Sequence, residues 1–107
     1  MKYRITVQLA DRDKSDDLLS RTVLLLEAVA QYGAIYPAAK KLGINYSYAW
    51  SSIRRVEETL GEELLIRAGG STGCKLTRRA LELTKEYRRV EKAAQAAADA
   101  AADPQKA

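Results

Sequence analysis

Ser47, Ser51 and Arg54 follow one another at spacings of four and three. On a helix turning about 100° per residue, that spacing puts all three side chains on one face. Tyr48 and Arg55 flank it, and no carboxylate enters before Glu57 and Glu58. Hydroxyls and guanidiniums together offer hydrogen bonds and positive charge. A face of this kind fits the major groove of duplex DNA, where base edges present donors and acceptors and the phosphates attract cations. The competing reading is a solvated helix face on which Arg54 and Arg55 are bridged to Glu57 or Glu58, pairs that contribute little.

Other chemistries lack their residues. The chain has no histidine and a single cysteine, Cys74. A histidine-activated nucleophile and a His-ligated zinc site are therefore excluded, as is an intrachain disulfide. Cys74 reads as a small apolar residue, with a redox role beside Lys75 as the alternative. The stretch GGSTGCK has Cys74 where a phosphate-binding loop needs Gly and Leu76 where it needs Ser or Thr. No cofactor, no metal and no enzymatic activity are expected.

The elements that must hold the Ser–Arg face can be read around it. Ala34 to Leu60 divides into a short helix, a turn at Gly43 and a longer helix over 46–60. Pro37 suits a first helical position, and Ala38, Ala39 and Leu42 line one face of the short helix. Ile44 packs, and Asn45 is placed to cap a helix beginning at Tyr46. Ala49, Ile53, Val56 and Leu60 form its apolar stripe. Trp50 borders that stripe and reads as a half-buried wedge against the first helix or the wing, with stacking on DNA as the alternative. Tyr46 lies nearer the core edge, and Tyr48 points further out, toward DNA.

Upstream, Tyr3, Ile5, Val7 and Leu9 alternate with polar residues, which predicts a strand. After the charged connection 11–17, Ser20 is a plausible N-cap for a helix over 21–32, with Leu19 and Leu24 as its hydrophobic staple and Gly33 as its end. Downstream, Leu64–Ala68 and Cys74–Thr77 read as two short strands joined by Gly69, Gly70, Ser71, Thr72 and Gly73. A hairpin directly after such a helix is a wing, and Arg67 and Lys75 could carry it onto the sugar-phosphate backbone. From Arg78 the residues Ala80, Leu83, Tyr87, Val90, Ala94, Ala97 and Ala101 recur as a heptad seam. That seam predicts a homodimer, with Leu83, Tyr87, Val90 and Ala94 at the interface. The alanine-rich end has little to bury and is expected to fray before Pro104. The expected fold is mainly α with a small β-sheet, a winged helix-turn-helix in the order β-α-α-α-β-β. It spans 1–77, followed by a dimerisation helix over 78–103 and a tail over 104–107.

The whole-chain properties agree. The 107 residues suffice for one small domain. The net charge is +4 and the pI about 9.3, and the cations from Arg67 to Lys92 favour a polyanionic partner, with a solvated helix face of Glu–Arg pairs as the equal alternative over Glu82 to Lys92. No apolar run reaches the roughly 18 residues of a membrane span. The N-terminus lacks a secretory pattern, and the lone thiol suits a reducing compartment, so a cytoplasmic location is expected.

On these residues the chain resembles a family. The segment LLEAVAQYGAIYPAAKKLGINYSYAW and the wing LLIRAGGSTGCKLT are similar to the N-terminal DNA-binding domain of molybdate-responsive, ModE-type transcriptional regulators, and more distantly to LysR-type winged helices. The resemblance covers the chain from Tyr3 to about Lys92. It implies a winged-helix, dimeric DNA-binding module; on the reading of the residues themselves, Ser47, Tyr48, Ser51 and Arg54 would face base edges. Arg55, Arg67, Lys75 and the loop with Gly69 and Gly70 would meet phosphate or the minor groove. Ala34 and Tyr36 stand where the family has serines, which removes the usual cap of the short helix and puts Tyr36 among the expected DNA-binding residues. The wing has fewer glycines than the family's. The family's β-rich molybdate-binding domains have no counterpart in this sequence, so a stand-alone regulator without molybdate binding is expected. A protein-interaction module without DNA specificity is the alternative, favoured by Glu57, Glu58, Glu62 and Glu63 crowding the end of the long helix.

Overall fold

The computed structural model describes residues 2, 4–7, 17–67 and 73–102. Among these described residues, four helices and a two-stranded sheet follow in the order α1 (Leu18–Tyr32), α2 (Ile35–Leu42), α3 (Tyr46–Leu60), β1 (Leu65–Arg67), β2 (Cys74–Leu76) and α4 (Arg78–Ala102).

α1 is the hub of the core. Leu18, Val23, Leu25, Leu26 and Val29 are buried along it. Ile35, Ala38 and Ala39 of α2 and Ala49, Ile53 and Val56 of α3 complete the same cluster. The three alanines leave no bulk between the backbones, so α2 and α3 can lie close to α1. α1 begins at Leu18, three residues before the start expected from Ser20. Burial decides this: Leu18 and Leu19 both enter the core, and only a helical start carries them there. Ser20 instead sits inside the first turn and donates its hydroxyl to the Asp17 carbonyl at 3.0 Å. Leu19 is buried in the core, whereas Leu24 is 44% exposed, so the two expected staple residues part company.

The turn between α2 and α3 follows the expected chemistry. Gly43 has φ 68°, the left-handed region that glycine enters without a Cβ clash, and its N–H closes the end of α2 on the Lys40 carbonyl. Asn45 is extended, and its Oδ1 accepts the N–H groups of Ser47 at 2.9 Å and Tyr48 at 3.3 Å. Asn45→Ala leaves both donors without that oxygen. It is expected to cost about 1 kcal/mol, and for a domain this small a melting temperature lower by about 4–8 °C; thermal unfolding followed by circular dichroism measures it.

The wing is antiparallel, with Leu65 opposite Leu76, Ile66 opposite Lys75 and Arg67 opposite Cys74. Hydrogen bonds close it and tie it to the helices on either side. Cys74 N–H donates to the Gly33 carbonyl at 2.8 Å. Leu64 N–H donates to Glu57 Oε2 at 2.8 Å. Thr77 hydroxyl donates to the Glu63 carbonyl at 2.7 Å while accepting Ala80 N–H at 3.1 Å, so one side chain closes the sheet and caps α4. The loop with Gly69 and Gly70 lies outside the described residues.

The expected first strand is not formed by residues 4–7; Tyr3, Gln8 and Leu9 lie outside the described residues. Ile5 N–H is taken by the Gln95 side chain at 2.9 Å, and Val7 packs on the core. This segment is thus met by a helix side chain where the alternation predicted a sheet partner. Among the described residues no helix is long and apolar enough to cross a membrane.

Only the first ten residues of α4 reach the core, through Ala80, Leu83, Thr84 and Tyr87. Its remaining turns extend the molecule, which measures 57 × 27 × 25 Å. Arg88 clamps α4 to α1 by donating to both carboxylate oxygens of Glu27, at 3.0 and 2.6 Å, and it also pairs with Glu91 at 2.9 Å. These carboxylates hold the Arg88 guanidinium above its ordinary pKa.

Candidate nucleic-acid interface

α3 presents two faces of opposite character. Ala49, Ile53 and Val56 are fully buried, whereas Ser47, Ser51 and Arg54 are exposed on the other side. Tyr48 is exposed beside them and Arg55 is half-buried. The spacing therefore places the expected polar residues on one accessible strip of helix.

One of the two carboxylates expected to bridge the α3 arginines is engaged elsewhere. Glu57 turns back to accept Leu64 N–H. Among the described residues Arg54 pairs with no carboxylate. Its guanidinium lies instead over the Trp50 ring, 5.3 Å from the centroid. Arg67 of β1 approaches the same ring at 5.7 Å. Trp50 is half-buried and packs on the core, as a wedge between helix and wing. One indole thus holds two cations, one from the helix and one from the wing, by attraction to its negative faces. Lys75, exposed on β2, adds a third positive group, the second on the wing.

A network absent from the sequence reading fixes the first turns of α3. Arg21 on α1 donates Nε–H to Ser52 Oγ at 3.0 Å, and Ser52 in turn donates to the Tyr48 carbonyl at 2.9 Å. Thr22 hydroxyl donates to the Ser52 carbonyl at 3.4 Å. The Arg21 guanidinium also pairs with Asp17 and lies 4.6 Å from the centre of the Tyr48 ring. Ser52 is buried, so its hydroxyl has no recourse to water and needs these partners. The one local signal was a serine on the core side of α3, which needs a partner but does not name it.

Tyr36 and Tyr46 stand together at the N-terminal ends of α2 and α3, ring centroids 6.2 Å apart. Tyr36 is 63% and Tyr46 45% exposed, so Tyr46 is further from the core than its position on the helical wheel suggested. Between them and the wing is an open cleft of about 400 Å³, with Cys74 in its wall. Cys74 is itself buried, in keeping with its reading as a small apolar wing residue.

The seam on α4 divides differently from the sequence expectation. Leu83 and Tyr87 are 5% and 4% exposed because they pack into the chain's own core, and they are not free for a partner. Burial, then the nearby Glu91 carboxylate, raise the Tyr87 phenol above its ordinary pKa. Val90 at 46% exposure and the half-buried Ala94 continue the seam beyond the core. A heptad stripe is apolar on one side whether it meets its own domain or a second copy, so spacing could not separate the two uses.

Comparison with known proteins agrees with this geometry. The CbnR DNA-binding domain, in a crystal structure of its DNA complex, superposes with a TM-score of 0.64 at 26% identity, over 79% of this chain and 95% of that one. Full-length CbnR complexed with its target DNA gives 0.62 at 27% identity, over 76% of this chain and 27% of that one. The molybdenum transport protein ModE of Azotobacter vinelandii is 32% identical over 92 residues, which are 83% of this chain. This chain spans only 34% of that protein's length. The model of bacterial regulatory helix-turn-helix proteins of the lysR family matches residues 20–86, from the first turn of α1 through the wing into α4. With its helix-turn-helix, wing and following helix in that order, the chain belongs to the lysR family of bacterial regulatory helix-turn-helix proteins.

Proposed function

We propose that this chain binds double-stranded DNA sequence-specifically as a transcriptional regulator. α3 enters the major groove with Ser47, Ser51 and Arg54 toward base edges. Arg67, Lys75 and the wing loop meet the backbone or the minor groove. The observation that carries the reading is the pairing of Arg54 and Arg67 on one indole at the edge of the exposed Ser–Arg strip. Helix and wing cations are thereby held on a common side, as a continuous phosphate-lined ligand requires. The DNA complexes of CbnR support it. The acidic end of α3 gives the protein-interaction alternative less weight than its composition suggested, since Glu57 serves Leu64 and Glu62 lies 3.8 Å from Arg79.

The active species is a homodimer in which the projecting half of α4, from Val90 onward, meets a second copy. Two-fold symmetry then calls for a pseudo-palindromic site whose half-site centres lie about 34–36 Å apart, or a multiple of that.

Selection from a random duplex pool, followed by mobility-shift titration of the winner and a scrambled duplex at two salt concentrations, tests this reading. The selected duplex is expected to bind about a thousandfold more tightly or better, with affinity falling as salt rises. Equal affinity for both duplexes would leave the interaction-module reading in its place.

A further inference from the structure

Tyr36 and Tyr46 are large aromatic side chains left in water at the leading edge of the proposed DNA-binding surface, next to the half-buried Trp50. Grouped exposed aromatics mark a contact surface more often than scattered ones do. The cleft beside them has an apolar lining of Ile35, Pro37 and the three rings, with Arg67 at its wing side. The adjoining helix end adds little polar chemistry, because Asn45 already accepts the N–H groups of Ser47 and Tyr48. The site therefore offers ring surface with a cation, Arg67, at its rim.

Its occupant must present an apolar group beside phosphates. In the major groove only one base edge does so: thymine, through its 5-methyl group. The N-terminal residues of a recognition helix are the ones that reach base edges, and Tyr46 is the first residue of α3. The Tyr36 and Tyr46 ring planes are tilted by 52°, so the rings do not stack face to face and each keeps apolar surface for a ligand.

We propose that the Tyr36–Tyr46 cleft is a specificity element that selects thymine at one or two positions of the operator by enclosing its 5-methyl group. The proposal rests on the DNA-binding reading above and adds to it a base, a chemical group and the residues that receive it.

The test uses the full chain and the duplex obtained by selection, with each thymine replaced singly by deoxyuridine, which removes the methyl and nothing else. At one or two positions the wild type is expected to lose about fourfold in affinity, the value of one buried methyl-sized group. Tyr46→Phe should keep that discrimination, since the ring and not the hydroxyl makes the contact. Tyr36→Ala/Tyr46→Ala should bind more weakly and bring the thymine-to-deoxyuridine ratio close to one; both residues are exposed, and thermal melting checks that the variant is folded. Tight, selective binding by a wild type indifferent to every deoxyuridine overturns this proposal and leaves the DNA-binding function standing. So does discrimination that survives in the double variant, or that Phe abolishes. Failure to prefer any duplex overturns both.

Discussion

Arg54→Ala combined with Arg67→Ala weakens binding to the selected duplex at least about thirtyfold near physiological salt while the chain stays folded. Each guanidinium is expected to contribute through a base edge or a phosphate, and a good arginine contact discriminates by about 1–3 kcal/mol. Even at the low end, two such losses reach thirtyfold. The side chains are exposed, and what they give the isolated fold is their attraction to Trp50. At exposed sites that amounts to about 0.5–1 kcal/mol each, a small part of the roughly 5–15 kcal/mol that holds a domain together. The salt dependence separates their roles. If both meet phosphates, the slope of log affinity against log salt should become shallower by about 1.8; if one reads a base, by about 0.9, with relaxed preference at one base pair. Titrations over a range of salt, on the selected duplex and on single-base variants, give both quantities. Unchanged affinity and slope would remove Arg54 and Arg67 from the interface and the proposed docking with them.

What the sequence disclosed follows from how local each determinant is. Gly43, Asn45 and the Ala49–Ile53–Val56 stripe act within one turn or along one helix, and they placed α3 at its observed start, Tyr46. The wing strands fall within one residue of expectation because the glycine-rich connection bounds them on one side. The start of α1 was different. Ser20 has cap chemistry, but the choice belongs to Leu18 and Leu19, whose burial depends on α2, α3 and the wing assembling around them. Arg21 and Ser52 are 31 positions apart, and no local pattern announces that one will donate to the other. Trp50 was legible as a wedge, but its gathering of Arg54 from the helix and Arg67 from the wing depends on where β1 returns. The polar strip on α3 could thus be read from periodicity, whereas the cations grouped beside it required the fold.

The division of the α4 seam yields the sharpest contrast between two substitutions seven residues apart on one stripe. Leu83→Asp should collapse the fold. Leu83 sits in the core between α4 and the rest of the domain, and an unpaired carboxylate there loses its water without gaining a partner, on top of the lost packing. Changes of this kind cost about 4 kcal/mol or more, enough to consume most of a small domain's stability. Val90→Asp introduces the same carboxylate where the side chain is already in contact with water. A surface change away from such features stays within about 0.5 kcal/mol, so the folded monomer should melt almost as the wild type does. Its effect should appear in association. At a two-fold seam the substitution sets two carboxylates against an apolar contact, and dimer dissociation should rise by tenfold or more, since like charges brought together cost several kcal/mol. Circular dichroism melts and sedimentation at tens of micromolar read the two consequences separately. A Leu83→Asp chain as stable as the wild type would mean that Leu83 faces a partner after all. A Val90→Asp chain that dimerises normally would place the interface elsewhere. A wild type that sediments as a monomer would remove the dimer, and with it the expectation of paired half-sites one DNA turn apart.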